Sequence, residues 1–234
     1  MFVPVHDYNP LKTIPFQYVT VALIGLNVIV FFISVTSMDL SRVGSFAVVP
    51  TELTAEGLGA ANPADRFDGF PIPERWTLVT YMFLHGDILH LLGNMLFLWV
   101  FGDNVEDAMG HMRFLIFYLL CGIIAALVHV NVTHSPDVPL IGASGAVSGV
   151  LAAYLMLHPR VTMWVLVARV IPLRISAAWA LGAWILMQIV YALLPTPTAV
   201  AFWAHVGGVV AGAVLILVMR RPGVKLFDQT PSQI

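Results

Sequence analysis

Gly142-Ala143-Ser144-Gly145 stands where a loop holding Pro136 and Pro139 gives way to the apolar run Ala146–Leu157. Two readings compete for Ser144. As an N-cap it accepts a hydrogen bond from a first-turn N–H, and its glycines merely allow close helix packing. As a nucleophile it has glycines that let a substrate backbone approach and first-turn N–H groups that face an incoming oxyanion. Alone, the motif favours the first reading, because short Ser/Gly patterns are common by chance. What changes the balance is its company: His85, His90 and Asn94 in one apolar run and His205 in another.

The setting of the motif is apolar throughout. Of the 234 residues, 59% are hydrophobic and only 10% charged, with a mean hydropathy of +0.88. A soluble domain carries about 25% charged residues, so this chain lacks the polar residues to cover a water-facing surface. It reads as an all-α polytopic membrane protein whose surroundings are the lipid bilayer. The formal net charge of −2 and the lack of a basic cluster point to no nucleic-acid partner. The lone Cys121 permits no intramolecular disulfide and leaves the redox compartment open. Only Lys12 precedes the first apolar run and no small-residue cleavage site follows it, so that run is expected to be a retained span rather than a cleaved signal.

Six spans are expected: Tyr18–Val35, Thr77–Phe101, Phe114–Val130, Ser144–Leu157, Ala177–Leu194 and Ala199–Met219. The fourth is only about 21 Å long against a hydrocarbon core of about 30 Å. Either its head starts below the membrane surface or its end continues past His158-Pro159. Around the membrane domain, residues 16–220, lie a short lead (1–15) and a polar tail (221–234). The longest connection, 38–75, carries a Ser45–Val49 patch apolar enough to touch the interface. Gly102–Gly110 reads as a polar turn, Asn131–Gly142 and Pro195–Thr198 as loops, and Val161–Ala168 as an interfacial connection closed by Arg169, Pro172 and Arg174. With the N-terminus inside, the inner segments hold Lys12, Arg113, Arg160, Arg169, Arg174, Arg220, Arg221 and Lys225. The outer segments hold only Arg42, Arg66 and Arg75. Positive charge collects on the cytoplasmic side, so both termini are expected there.

That topology brings spans two, four and six in from the outer face, so Ser144, His205 and the His85–Asn94 run fall at a similar depth. A histidine or an asparagine inside a span can be a structural bridge between helices. Together they offer more. Ser144 needs a base, a neutral imidazole has the suitable pKa, and His205 is the candidate. Asn94, the His90 ring N–H and the Ser144 backbone N–H are candidate oxyanion donors. His90 and Asn94, spaced i,i+4, share a helix face, whereas His85 is turned away by about 140° and is assigned a structural role. No Asp or Glu in spans three to six could orient His205, so any catalysis would use a dyad.

Three motifs in order, His85-x4-His90-x3-Asn94, Gly142-Ala143-Ser144-Gly145 and Ala204-His205-x2-Gly208-x3-Gly212, resemble those of the rhomboid intramembrane serine proteases. The resemblance covers about residues 15–220. It implies a six-helix bundle, Ser144 as nucleophile, His205 as base, and His90, Asn94 and the Ser144 N–H as oxyanion hole. Gly142 and Gly145 then give access at the nucleophile, while Gly208 and Gly212 let the sixth helix reach the fourth. Glu106 and Arg113 read as structural. Two departures stand out. Four residues after the nucleophile, where many members carry a ring that packs on the catalytic histidine, this chain has Ser148. The first outer loop has Arg75-Trp76, the reverse of the family's Trp-Arg, so Arg75 inherits no role and Trp76 suits an interfacial anchor.

The implied activity is endoproteolysis of single-span membrane proteins, with small residues at the cut, a locally unwound substrate helix, and lateral access past the fifth helix. No cofactor or metal is expected. The competing class is a catalytically silent rhomboid-like protein that binds membrane helices for quality control, although a binder has no need of Ser144 and His205. A transporter, or a histidine-ligated metal or haem protein, is a third class, for which no paired broken helices speak. Substrate identity and oligomeric state are not legible, and the location expected is a bacterial inner membrane.

Overall fold

Proline, glycine and capping residues set the breaks in this chain, and several differ from those that hydropathy marks. The computed structural model describes residues 2–57, 70, 72–167, 170–194 and 200–228. The expected loop at Pro195–Thr198 lies outside the described residues, as do Pro63, Arg66, Pro71 and Arg169. The elements in order are strand β1 (Phe2–Asp7), helices α1 (Tyr18–Ser37), α2 (Leu40–Gly44), α3 (Pro50–Gly57) and α4 (Glu74–Thr80), a single 3-10 turn (Tyr81–Phe83), α5 (Ile88–Met109), α6 (His111–Val132), α7 (Ser144–Leu157), strands β2 (Thr162–Val167) and β3 (Ile171–Ser176), then α8 (Ala177–Leu193) and α9 (Phe202–Met219). The molecule is mostly helical. Four described helices, α1, α5, α6 and α9, are long and apolar enough to cross a membrane, while α7 and α8 are shorter apolar helices.

The second expected span is not one helix. Its chain turns at Tyr81–Phe83, and α5 begins only after Asp87, whose carboxylate accepts the N–H groups of Leu89 and His90 at 2.8 and 2.9 Å. Asp87 is an N-cap that satisfies first-turn donors, and an Asp ahead of an apolar run is the sequence signature of one. His85 therefore precedes the helix that carries His90, and the angular argument that separated them does not apply.

At its other end α5 runs through the expected polar turn to Met109, and the chain reverses at Gly110, whose φ of 86° only glycine adopts without strain. The residues that looked like a loop are polar because they hold α1. Glu106 accepts the N–H groups of Val19 and Thr20 at 3.0 and 2.8 Å and the Thr20 hydroxyl at 2.7 Å; Asp107 accepts those of Lys12, Thr13 and Ile14. Glu106 thus answers first-turn donors that have no intrahelical partner, and Asp107 holds the chain just ahead of the helix.

The all-α expectation also needs correction. The lead and the Val161–Ala168 connection form an antiparallel sheet in the order β1-β2-β3, with Asp7 opposite Met163 and Thr162 opposite Ser176. Thr162–Val167 is rich in β-branched and aromatic residues, and Met163 and Val165 turn inward and are buried. Hydropathy alone could not separate such a short apolar run from an interfacial segment. The Ser45–Val49 patch is likewise packed inside rather than at an interface, buried except for a half-buried Phe46: Val48 pairs with Leu140 in both directions at 3.1 and 2.8 Å, which ties the long connection after α1 to the loop before Ser144.

Helix α7 occupies the middle, packed against α5, α6 and α9 and buried along almost its whole length. Small residues make this possible. A Cβ at Gly208 would collide with the carbonyl oxygen of Gly145, and one at Gly212 with that of Gly149. Two glycine pairs, one turn apart on each helix, thus let the α7 and α9 backbones touch. The tail answers the other end of α7: Phe227 and Asp228 donate their N–H groups to the carbonyls of Met156 and Leu157.

Candidate active site

Ser144 is the first residue of α7, preceded by Ala143 at the cap position, and its side chain caps nothing. Its Oγ lies 2.9 Å from Nε2 of His205 on α9. This contact speaks against the capping reading of the motif: the hydroxyl meets an imidazole of another helix rather than its own first turn. The backbone contact between α7 and α9 places the two side chains within reach. Gly145 and Gly208, which meet in that contact, stand one residue and three residues beyond Ser144 and His205 respectively.

The approach to Ser144 is held rigidly. Gly142 has φ 116°, its N–H donates to the Tyr81 carbonyl at 2.9 Å, and a Cβ there would sit 2.7 Å from the His90 ring. Both the backbone angle and the close ring exclude any other residue. At Gly145 an added Cβ would stand 2.7 Å from that of Ala125 on α6. His85 meets His90 edge-on at a ring separation of 5.0 Å, so the two histidines do share one locality.

The three candidate oxyanion donors are not equivalent. The Ser144 N–H belongs to the first turn, where no intrahelical partner exists. His90 packs on the turn that leads into Ser144. The Asn94 amide donates to the His90 carbonyl at 3.0 Å, an i−4 bond within its own helix, so in this state it is directed along α5.

Sequence reading left the support of His205 open, because Ser148 replaces a ring. Here the Ser148 hydroxyl donates to the Ser144 carbonyl at 2.6 Å and makes no contribution to the imidazole. Support comes instead from residues that the motifs did not mark. The His205 ring lies between Trp184 of α8, at 6.0 Å and tilted by 32°, and Phe202, at 6.1 Å and edge-on; Tyr191 stacks on Phe202. Gln188 of α8 brings its Oε1 to 2.8 Å from His205 Nδ1. Gln188 was visible as an amide in the middle of an otherwise apolar run, which is a signal of an interhelical partner.

A profile of the Rhomboid domain matches residues 73–222, well over half of the chain. The protein belongs to the rhomboid family. Relatives agree with this. It is 33% identical over 149 residues to RHOMBOID-like protein 5 of Arabidopsis thaliana, covering 63% of this chain and 45% of that one. It is 30% identical over 177 residues to Rhomboid-like protease 3 of Toxoplasma gondii (76% and 62%). It is 34% identical over 139 residues to the Rhomboid protease GluP of Bacillus subtilis (58% and 24%). The chain thus spans about half the length or less of several relatives it matches. Its family and its apolar helices make it an integral membrane protein. The relatives lend no support to a bacterial inner membrane in particular, since they come from a plant and Toxoplasma gondii as well as from Bacillus subtilis.

Proposed function

We propose that this rhomboid is a serine endopeptidase that hydrolyses a peptide bond in or near the membrane segment of single-span proteins, using Ser144 and His205 as a dyad. The observation that carries this reading is the 2.9 Å contact between Ser144 Oγ and His205 Nε2. The proposed bundle has six spans with both termini cytoplasmic, α7 and α8 being the short ones. Lys and Arg placement supports that orientation.

The steps follow from the geometry. His205 Nε2 takes the Ser144 hydroxyl proton as Oγ attacks the scissile carbonyl carbon, and the new oxyanion is met by the Ser144 N–H, with His90 and Asn94 beside it. For Asn94 to join, its amide must turn from the His90 carbonyl toward the substrate. The C–N bond then breaks, the leaving amine takes the proton from His205, and an acyl-Ser144 ester remains. Water, deprotonated by His205, attacks the ester. Collapse expels Ser144 Oγ, which regains a proton from His205, and releases the new carboxylate. Hydrolysis needs water, so the site must open to the outer face. Lateral access for the substrate would lie along α8, which has few buried residues.

Labelling of detergent-purified protein by a fluorophosphonate tests this without a known substrate. Wild type should label, and Ser144→Ala and His205→Ala should not. If wild type fails to label beside an active rhomboid control, the silent, helix-binding reading replaces this one.

A further inference from the structure

Among the described residues, α8 is buried only at Ala177, Ala180, Leu181 and Gln188. The first three lie near its start. Gln188 is the one buried residue of the outer part of the helix, flanked by the partly exposed rings of Trp184 and Tyr191. An amide within an apolar helix must find a partner, since hydrocarbon supplies none. Gln188 is 3% exposed, and the partner it finds is His205.

The chemistry of that contact is specific. An amide oxygen only accepts, so the hydrogen between Gln188 Oε1 and His205 Nδ1 must be carried by Nδ1. The neutral ring then has its lone pair on Nε2, which faces Ser144 Oγ. The tautomer that a serine needs from its base is the one that Gln188 selects. Among the described residues no other neighbour does this: Trp184 and Phe202 confine the plane of the ring without offering Nδ1 an acceptor, and Ser148 Oγ is committed to the Ser144 carbonyl.

We infer that Gln188 is a positioning residue: from α8 its amide oxygen fixes the tautomer and the direction of His205. The inference rests on the Ser144–His205 reading and deepens it. It fills the place that a carboxylate holds in a triad with a neutral group, which adds no second charge to a site inside the membrane. It also makes the orientation of the base depend on the seating of α8.

The test combines two readouts on detergent-purified wild type, Gln188→Leu and Gln188→Glu. Imidazole 15N NMR, with the His205 signal assigned by its loss in His205→Gln, reports the tautomer. The rate of fluorophosphonate labelling as a function of pH reports the base. Wild type should carry its hydrogen on Nδ1. Gln188→Leu should shift it toward Nε2 and slow labelling roughly 10- to 100-fold. Gln188→Glu should restore labelling and move the acid limb of the profile to higher pH, because a carboxylate favours the imidazolium where an amide does not. A merely structural glutamine would lower thermal stability in both variants and leave tautomer and pH profile as they were. Gln188→Leu that keeps hydrogen on Nδ1 and labels at the wild-type rate overturns the inference. A tautomer that depends on Gln188 in a protein that never labels leaves the contact standing and removes only the protease reading.

Discussion

The two ends of the helix bundle, inner and outer in the proposed orientation, use polar residues in opposite ways. At the inner end carboxylates are saturated: Asp107 accepts three backbone N–H groups, and Glu106 accepts two with a hydroxyl and also meets His111 Nδ1 at 2.5 Å. Asp7 takes the Tyr154 hydroxyl at 2.5 Å and ties β1 to α7. At the outer end, among the described residues, the chain Ser144–His205–Gln188 has a single bond at each step, and the Asn94 amide bonds within its own helix. Multiple bonding holds a group in one place. Single bonding leaves a lone pair or a proton free to be exchanged during a reaction. The comparison separates scaffold from chemistry within one small molecule, and each end can be broken without the other.

The largest effect belongs to the outer end. Ser144→Ala or His205→Ala should reduce fluorophosphonate labelling by about 1,000-fold or more, since members of a catalytic unit fail together. Thermal unfolding of the two variants in detergent should stay close to wild type. A large loss of stability in either would mean that the contact is structural and would blur the distinction between the ends.

Next in size is the inner staple. Glu106→Ala leaves three donors at the head of α1 without partners, each costing roughly 1–3 kcal/mol. Unfolding should move to markedly lower temperature, while the labelling rate per folded molecule stays at the wild-type value. A drop in that rate would show that the inner end reaches the site.

The pH dependence of stability sharpens the same contrast, because two inner groups, the buried Asp7 and the half-buried His158, act against each other. Burial raises Asp7 to about 6 from its usual 3.8, so its protonated form is favoured in the folded state and stability falls as pH rises between those values. Burial lowers His158 to about 4 from 6.5, so the folded state releases a proton that the unfolded state keeps, and stability rises with pH over nearly the same interval. The two trends offset. Asp7→Asn should expose the His158 slope, giving a protein whose unfolding temperature climbs from about pH 4 to about pH 6 more steeply than that of wild type. Equal slopes in variant and wild type would contradict the burial of Asp7.

The smallest effect is at Ser148. Its hydroxyl bonds within α7, so Ser148→Ala should cost no more than about 1 kcal/mol and leave labelling unchanged. Slower labelling would give Ser148 the supporting part that is here assigned to Gln188.

Much of this was legible in the sequence. Ser144–Leu157 matches α7 end to end, and Tyr18 and Ala177 start their helices where hydropathy starts them. Apolar length is a strong signal because lipid demands it. Apart from the start of α5, which the Asp87 cap sets, the misplaced boundaries share a cause. Asp103, Asn104, Glu106 and Asp107 look like a solvated turn, yet they lie within α5, and Glu106 is fully buried because its partners come from α1, far away in sequence. Local polarity cannot show a distant donor. Thr162–Val167 failed for the matching reason: a strand is defined by the neighbours it pairs with, here the lead and β3.

By itself the sequence determined the membrane character, the six apolar runs and the short list of polar residues that could carry chemistry, because composition and hydrophobic length are properties of single segments. Only the tertiary structure decided that Ser144 meets His205, that the Asn94 amide turns to its own helix, and that Gln188 meets the other ring nitrogen of His205. Those facts depend on distances and directions between α5, α7, α8 and α9, set by how closely glycine-lined backbones pack, and a one-dimensional pattern carries no such directions.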